Sequence, residues 1–488
     1  MNKITSCVCV ILFFMLQVVY TVSAKNNTDD WPSIPLLTIA TEGQTEPVAT
    51  VVNPPEGCVG QGILSEYVSG QLVVTLKGDT LYNSGEYIKG ISGLRIKIRG
   101  NSTGAFSSQR PYKLKLSKKA DLLSFNDNYK SKDWALLPIR VWNTSMKNSE
   151  CNILLVTGLA VCSALDFSWK PRTKFVNVVI NGKYRGLYNL VETVERADNR
   201  VKTDKTGFLI ENDAYWWKDG EVWFKTDHQY STMGYTFKYP NPDDVTDEQE
   251  SDIAAYMNTV ESVILSHKDV DRYIDYESFA RWILAHDILG SLDAQGSNIF
   301  LYKESLSTKE PSASKLKMST LWDFDTCFRM EDTQWSQQHT HPVFYYPELF
   351  EICEFVDVYK KLYAKYKDVV YPYVKKTLTD IRTSDGDAFE QSCLLHRKVY
   401  VGQCPNTLDE QIDDVLVHLK LRLDALDPMV AKLYSNETSV DDICTGGVDI
   451  VKRTSISGFD FTNIDSRSLP AGLYIEKKSD GTVRKIKR

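Results

Sequence analysis

The spacing of apolar residues along this chain of 488 residues differs between its first and second parts. In its first half apolar and polar residues alternate, as in Leu94–Arg99, which is the period of a strand with one buried face. From Asp247 the apolar residues take a helical spacing, which is clearest over Tyr276–Leu289. This order predicts an α+β protein, with a β-rich part over about residues 35–245 and a mostly helical part over about residues 246–435.

Several segments allow more specific predictions of individual turns, strands and helices. Asn181-Gly182 is a typical two-residue hairpin turn, because both residues tolerate positive φ, and it joins the strands predicted over Phe175–Ile180 and Tyr184–Val191. The small residues of Gly100–Ser108 predict a loop between two strands. A last strand is predicted before the aspartates discussed below, and two late helices follow it; these three elements are Leu316–Leu321, Tyr359–Ile381 and Leu408–Leu426.

Composition narrows the function classes. The chain is 42% hydrophobic and 25% charged with a net charge of -7, which is typical of a folded protein and argues against a nucleic-acid partner. Zinc is not indicated, because CxxC pairs and an HExxH motif do not occur. His339 and His341 form an HxH, but their polar surroundings favour a solvated loop.

The N-terminus predicts export. One lysine precedes an apolar run from Val8 to Val19, and small residues at Val22–Ala24 complete the pattern of a signal peptide over residues 1–24. The run is shorter than the ~20 residues that span a bilayer, so we expect a secreted, cell-surface or periplasmic protein with no membrane span after cleavage. An uncleaved anchor is the alternative. Eight cysteines remain after the signal, and Cys393 with Cys404 brackets a short loop that a disulfide could close.

The C-terminal residues 436–488 form a separate, polar tail. A strand, an Asp480-Gly481 turn and a second strand are predicted at its end. This end resembles the C-terminal sorting tails of some Gram-negative secreted proteins, so the tail is a candidate sorting or secretion segment.

The loop Gly100–Ser108 is a candidate phosphate site. Small residues let backbone amides and hydroxyls approach an anion closely, and basic residues surround the loop. The candidates are Arg99, Asn101, Ser102, Arg110, Lys113 and Lys115. A plain hairpin turn with solvated basic residues is the alternative. The loop also fits GxSxG, but the return to a strand after Pro111 argues against a serine-hydrolase elbow, which runs into a helix.

Acidic residues later in the chain suggest metal and proton chemistry. Asp293 and Asn298 lie five apart, as in kinase catalytic loops, although Asp293 could equally be a turn former or helix cap. Asp323 and Asp325 follow a predicted strand, where residues i and i+2 face one side and could share Mg²⁺; calcium or a structural turn is the alternative. Glu192 closes the Asn-Gly hairpin and could pair with the strand lysine.

Taken in order, these segments are similar to the CotH kinase family (spore coat protein H-like atypical protein kinases) over roughly Pro35 to Leu433. The resemblance is carried by four stretches: LRIKIRGNSTGAFSSQRPYKLKL, VNVVINGKYRGLYNLVETVE, SNIFLYKE and LWDFDTCFR. Two departures stand out. The chain has Cys327-Phe328-Arg329 where members often carry a glycine, and Gln109-Arg110 where they have paired lysines.

The resemblance implies an atypical protein-kinase-like fold, with an N-terminal β-rich lobe, a helical C-terminal lobe and here a short β tail. It implies ATP with Mg²⁺ or Mn²⁺ as cofactors and Ser or Thr of proteins as acceptors. By the same resemblance, Lys113 or Lys115 would contact the phosphates, and Glu192 would support that lysine. Asp293 would be the catalytic base. Asn298, Asp323 and Asp325 would bind the metal ion. The rival hypothesis is a non-catalytic surface or matrix binding protein, with Ala214–Trp217 and Phe344–Tyr346 as glycan or protein contact surfaces. The alternative is that these aromatic residues belong to the core or to a lid.

Overall fold

The predicted change from strands to helices is present in the structure. The computed structural model describes residues 31–126, 128–139, 151–228, 232–292, 297–307, 310–336, 346–404, 406–433, 450–455, 473–478 and 483–487. The strands are β1 (Leu36–Thr41), β2 (Thr50–Val52), β3 (Gly62–Leu64), β4 (Val68–Leu76), β5 (Asp79–Asn83), β6 (Leu94–Ile98), β7 (Tyr112–Ala120), β8 (Ser131–Pro138), β9 (Thr173–Ile180), β10 (Lys183–Glu192), β11 (Phe208–Asp213), β12 (Trp223–Phe224), β13 (Gly234–Tyr239), β14 (Ile299–Lys303), β15 (Lys317–Met318), β16 (Ile450–Ser455), β17 (Leu473–Lys478) and β18 (Val483–Lys487). The helices are α1 (Ser102–Phe106), α2 (Cys151–Ala164), α3 (Asp247–Ser266), α4 (Val270–Tyr273), α5 (Tyr276–Leu289), α6 (Tyr346–Leu349), α7 (Cys353–Val399) and α8 (Leu408–Ala431).

A large sheet forms the first half of the fold. Its strand order is β1-β9-β10-β8-β7-β6-β4-β5, and an additional β1–β4 pairing closes the sheet on itself. The period-two pattern explains its two faces, because Leu94, Ile96 and Ile98 are buried in the core that the closed sheet surrounds. Lys97, between them on β6, points to the opposite, outer face.

A second sheet has the order β12-β13-β11-β14-β15. It shares one core with α2, α5, α7 and α8, which pack against one another. Helix α5 begins and ends where the sequence predicts. Asp275 caps its first turn by accepting from the backbone of Ser278, and Gly290 ends it in the left-handed conformation.

Three sequence predictions need correction. The loop after β6 contains the helical turn α1. Helix α7 runs from Cys353 to Val399, well beyond the predicted Tyr359–Ile381, because Phe389, Cys393 and His396 in its second half are buried. The predicted strand Leu316–Leu321 is reduced to the two residues of β15, so the aspartates after it do not lie on a strand.

The remaining predictions divide between confirmed and untested ones. The Asn-Gly hairpin is present as β9 and β10, and the tail contains the predicted antiparallel strand pair β17–β18. The Cys393–Cys404 disulfide is present, with its Cα atoms 6.0 Å apart. No helix in the described ranges is long and apolar enough to cross a membrane. Residues 1–24 and the histidines 339 and 341 lie outside those ranges.

Candidate active site

A polar cleft of about 510 Å³ lies between the two sheets. The closed sheet contributes Lys97 and Lys113 from its outer face, together with the residues that follow β6. The second sheet contributes Glu211 and Asp213 of β11 and further residues of β13 and β14. Among the sequence-predicted residues, the lining includes Arg99, Asn101, Ser102, Lys113, Asn298, Asp323 and Asp325. The fold therefore brings together candidates that are more than 200 positions apart in the sequence.

Arg99 joins the two sides of the cleft. Its guanidinium lies 5.5 Å from the centre of the Trp322 ring, in a cation–π arrangement. Burial lowers the pKa of Arg99, and the charges of Asp323 and Glu211 oppose that shift. The pKa of Asp323 is raised by burial and pulled back by Arg99. The guanidinium keeps its charge at neutral pH, since arginine has the highest pKa of the side chains, and so stays available to an anionic ligand.

The Asp323–Asp325 segment takes an irregular path that the sequence did not reveal. Asp323 has φ 68°, a left-handed conformation that a strand does not allow but that aspartate tolerates better than most residues. Phe324 then packs on α2 at Gly158, where an added Cβ would lie 2.0 Å from the ring. The two carboxylates line the same cleft, as predicted, but a close helix–segment contact positions them rather than a strand pleat.

The two strand lysines, which the sequence could not separate, have different surroundings. Lys113 lines the cleft, and its ammonium lies 3.1 Å from a carboxylate oxygen of Asp133 on β8. Lys115 lies outside the cleft lining. Its cross-strand partners are Arg95 and Asp133. The structure therefore favours Lys113 as the lysine that faces a bound anion.

Glu192 does not hold that lysine. It is fully buried and forms an ion pair of 2.8 Å with Arg172, whose guanidinium also lies 3.3 Å from Asp121. The predicted partnership of Glu192 with Lys113 or Lys115 is therefore wrong, because the adjacent Arg172 neutralises Glu192 and Asp133 takes its predicted place beside Lys113.

The loop after β6 is fixed from both ends. Arg110 donates to the backbone carbonyl of Gly104, so this cation braces the loop and lies outside the cleft lining. On the other side, the Lys218 ammonium donates to Asn101 Oδ1 over 2.9 Å. The Ser102 hydroxyl lies 3.4 Å from the Tyr215 hydroxyl. The aromatic Tyr215, considered in the sequence as a binding surface, is thus part of the cleft wall.

The second sheet adds two acids that sequence analysis missed. Glu211 and Asp213 are residues i and i+2 of β11 and face the cleft together. Glu211 accepts from the backbone N–H of Asn298 over 3.0 Å and pairs with Lys238 at 2.9 Å. Burial and the neighbouring Glu211 raise the pKa of Asp213 to about 6. A sequence pattern could have pointed to these two acids, because the apolar segment Phe208–Asp213 ends in Glu-Asn-Asp.

The donor set fits a hard divalent cation bound jointly with phosphate. The carboxylates of the cleft and the Asn298 side chain supply oxygen ligands, which Mg²⁺ prefers. Within the described part of the chain, no three His, Cys, Asp or Glu side chains lie close enough to form a metal cage. Mg²⁺ does not need one, because it is usually held by one or two carboxylates together with water and substrate phosphates. Asp293, the predicted base, lies outside the described residues.

Comparison with known proteins identifies the family of this chain. A family model described as CotH kinase protein matches residues 96–384, which is more than half of the chain and contains the Asp323–Asp325 segment. The chain belongs to the CotH kinase family. Among solved structures, this CotH kinase family member is similar to a proinflammatory kinase, CtkA, from Helicobacter pylori, with 8% identity, a TM-score of 0.29, and coverage of 81% of this chain and 98% of that chain. No residue role is transferred from that kinase, because identity and score are low. No curated protein matches the chain.

Proposed function

We propose that this CotH kinase family member is a secreted protein kinase that transfers the γ-phosphate of ATP to Ser or Thr of extracytoplasmic proteins. The observation that carries the proposal is the single cleft in which Arg99 and Lys113 face Asp323 and Asp325. Cations that bind phosphate and oxygen ligands that bind Mg²⁺ are the two parts that phosphoryl transfer requires, because its catalysis is mostly positioning and charge stabilisation. A two-lobed arrangement, with the closed sheet in one lobe and the helices in the other, is part of this proposal.

The cleft residues would divide the work as follows. Mg²⁺ or Mn²⁺, when bound, would neutralise charge that develops on the transferred phosphoryl group. Asp323, Asp325 and Asn298 would hold that ion. Arg99 and Lys113 would orient the phosphates, and the loop at Asn101 and Ser102 would approach them through its backbone. Asp293 is proposed as the base that accepts the proton of the acceptor hydroxyl, so that the oxygen can attack phosphorus as the bond to ADP breaks.

A disulfide bond supports export, in addition to the N-terminal sequence. The Cys393–Cys404 disulfide is present, and such bonds persist in oxidising compartments and are rare in the cytosol. The disulfide therefore favours a secreted, cell-surface or periplasmic location, which fractionation of cells producing the full chain would test.

The test of the kinase activity is a labelling experiment. The purified protein is incubated with radiolabelled ATP, Mg²⁺ or Mn²⁺ and a Ser/Thr-rich acceptor protein, beside Asp323→Asn, Asp293→Asn and Asp387→Asn. Asp387 is exposed on α7, away from the cleft, so its variant is the matched control. We expect the control to keep full activity and Asp323→Asn to lose about 100-fold or more, as loss of one electrostatic stabiliser does elsewhere. Equal labelling by the wild type and Asp323→Asn would contradict catalysis and leave the binding-protein hypothesis.

A further inference from the structure

A second cavity, of about 410 Å³, lies outside the cleft, and the two share no lining residue in the part of the chain that the structure describes. Its walls come from three segments that are distant in the sequence, within residues 128–129, 168–169 and 198–202. Five of its eight lining residues are exposed, so it opens to the protein surface. Small-ligand sites have volumes of about 300–1,000 Å³. This surface cavity is therefore large enough for a small ligand, and the proposed mechanism uses none of its residues.

Two aromatic side chains line the surface cavity. Tyr129 is 40% exposed, and the Arg172 guanidinium lies 4.0 Å from the centre of its ring, a cation–π contact that holds the ring in place. Trp169 is half-buried and packs against the hydrophobic core, so its ring is fixed as well. The cavity therefore offers two apolar surfaces that need little ordering when a ligand packs on them.

The polar side chains beside these rings include both donors and acceptors. Asp198 carries a carboxylate that only accepts, Lys202 an ammonium that only donates, and Asn199 an amide that does both. Asn199 Nδ2 donates to the Asn128 backbone carbonyl over 3.2 Å, which joins two of the three segments. Asp198 and Lys202 are exposed and form no hydrogen bond or ion pair with another described residue. Hydroxyl groups both donate and accept, so they can pair with each of these side chains.

The charges that line the surface cavity cancel. Arg200 is buried, and its guanidinium lies 2.8 Å from a carboxylate oxygen of Glu195. The other two charged lining residues are Asp198 and Lys202, which carry opposite charges. A cavity without net charge attracts neither cations nor anions over a distance. It therefore favours a neutral ligand.

A neutral ligand that fits this lining needs an apolar face for the rings and several hydroxyl groups for the polar side chains. A pyranose sugar has both, because its C–H bonds form the faces of the ring and its hydroxyls project from the edge. An apolar heterocycle fits less well. Sites for such ligands are concave and mostly apolar, whereas this cavity is open and six of its eight lining residues are polar.

We propose that the surface cavity binds a neutral hexopyranose unit of a glycan. A C–H face of the sugar packs on an aromatic ring, while Asp198 accepts hydrogen bonds from its hydroxyls and Lys202 donates to them. This binding needs neither a nucleotide nor a metal ion. The inference therefore goes beyond the proposed kinase function and does not depend on it.

The surface cavity lies next to the wall of the cleft. Arg200 lines the cavity, and its Nη1 donates to the Thr193 carbonyl over 2.7 Å. Thr193 in turn lines the cleft. One arginine side chain therefore separates the two sites, so a glycan bound here would hold the molecule that carries it beside the cleft.

The first experiment measures sugar binding in the absence of ATP. Calorimetry and saturation-transfer NMR are applied to the full chain with the methyl pyranosides of glucose, galactose, mannose and N-acetylglucosamine. Glucitol is the control ligand, because it has the hydroxyls of glucose but no ring. We expect at least one pyranoside to bind about tenfold or more tightly than glucitol, since only a ring presents a preformed face to Tyr129 and Trp169.

Tyr129→Ala and Asp198→Ala test the location. Both side chains are exposed, so both variants should fold, which circular dichroism and thermal unfolding check. Each should weaken binding of the best pyranoside about threefold to tenfold, the usual effect of losing one aromatic contact or one hydrogen bond. Tyr373→Ala is the matched control and should bind as the wild type does, because Tyr373 is 44% exposed on α7, outside the cavity lining.

A charged sugar tests the neutrality of the ligand. Methyl glucuronide carries a carboxylate and should bind no more tightly than methyl glucoside, because the charges of Asp198 and Lys202 cancel. A glucuronide that binds about tenfold more tightly, with that gain lost in Lys202→Gln, would overturn the assignment of a neutral sugar.

Two further arms distinguish the source of the sugar. Affinity electrophoresis uses a polysaccharide built from the sugar that binds, and a pull-down uses a glycoprotein that carries it, before and after enzymatic removal of its glycans. Retention in either arm that is lost in Tyr129→Ala supports the site.

The remaining outcomes overturn it. These are a wild type that binds no pyranoside, and equal binding by the wild type, Tyr129→Ala and Asp198→Ala. Retention of the deglycosylated protein that is lost in Tyr129→Ala would assign the cavity to a peptide instead. None of these outcomes bears on the kinase proposal, which the labelling experiment tests separately.

Discussion

At the scale of single residues, the Lys113–Asp133 pair shows how a cleft cation is kept charged. Burial lowers the pKa of Lys113, but the charge of Asp133 and the hydrogen bond to it outweigh that effect and leave the pKa above its ordinary value. Sequence reasoning assigned this support to Glu192, because Glu192 sits at the end of a strongly predicted hairpin. The ion pair of Glu192 with Arg172 is a contact that no local sequence motif predicts.

Replacing Asp133 by Asn tests this pair. The Lys113 pKa should fall, so that the ammonium loses its proton at lower pH and the alkaline limb of activity moves down the pH scale. We expect KM for ATP to rise about threefold to tenfold, the usual effect of losing a hydrogen bond to a charged group. The measurement is the pH profile of kcat/KM for ATP, and Asp133→Glu should restore most of it.

Lys115→Met is the matched control for Lys113→Met. Both side chains are lysines of β7 and two residues apart, but Lys113 alone of the two lines the cleft. Loss of ATP affinity in Lys115→Met equal to that in Lys113→Met would contradict the assignment of Lys113 as the phosphate contact.

At the scale of elements, local signals predicted those segments whose ends carry their own capping or turn chemistry. Helix α5 has an Asp cap and a terminal glycine, and β9–β10 has its Asn-Gly turn, so the bounds of α5 and the pairing of the hairpin were predictable. The segment after β15 was not, because its course depends on the contact of Phe324 with Gly158. From the sequence alone, a glycine inside an apolar helix indicates only a residue of low helix propensity. Its role as a packing site for an aromatic ring is visible only in the structure.

Gly158→Ala tests this contact. The added methyl group would occupy the space of the Phe324 ring and displace the two aspartates beside it. We expect kcat to fall about 10-fold to 100-fold with the fold retained, since displacements near 1 Å can cost that much. Steady-state kinetics and thermal unfolding measure the two effects.

Gly386→Ala provides the control for that variant. Gly386 lies within α7, and an added Cβ would meet nothing within 4 Å. Alanine is favoured over glycine inside a helix by about 1 kcal/mol, so this variant should be slightly more stable and fully active. Unchanged kcat in Gly158→Ala would show that Phe324 does not position Asp323 and Asp325.

At the scale of the whole molecule, the site depends on how two sheets face each other. The sequence predicted an α+β order and seven residues that line the cleft, because each of those residues belongs to a local motif. It did not predict Glu211 and Asp213, although they follow the i, i+2 rule better than Asp323 and Asp325 do. That rule identifies which side chains share a face, and only the packing of the sheets shows which face meets a cleft.

The Cys393–Cys404 disulfide joins the last turns of α7 to the loop that follows the helix, next to a contact of α7 with the closed sheet. His396 is buried and lies between the two cysteines in the sequence. Its Nδ1 accepts a hydrogen bond of 3.2 Å from the backbone N–H of Leu187 on β10, and its Nε2 lies 3.1 Å from Gln403 Oε1. The disulfide holds Gln403, the neighbour of Cys404, against this histidine. Its loss should therefore loosen the helix on the sheet as well as release the loop.

We expect the double variant Cys393→Ser, Cys404→Ser to lower the free energy of unfolding by about 2–3 kcal/mol, the contribution typical of a disulfide that closes a short loop. Thermal unfolding without reductant measures the difference, with Cys58→Ser as the control because Cys58 is a free cysteine. Hydrogen exchange of the Leu187 amide should become faster in the double variant, since that amide is bonded to His396. A double variant that unfolds at the wild-type temperature with the same Leu187 exchange would contradict this role, because the helix end would then be held by packing alone.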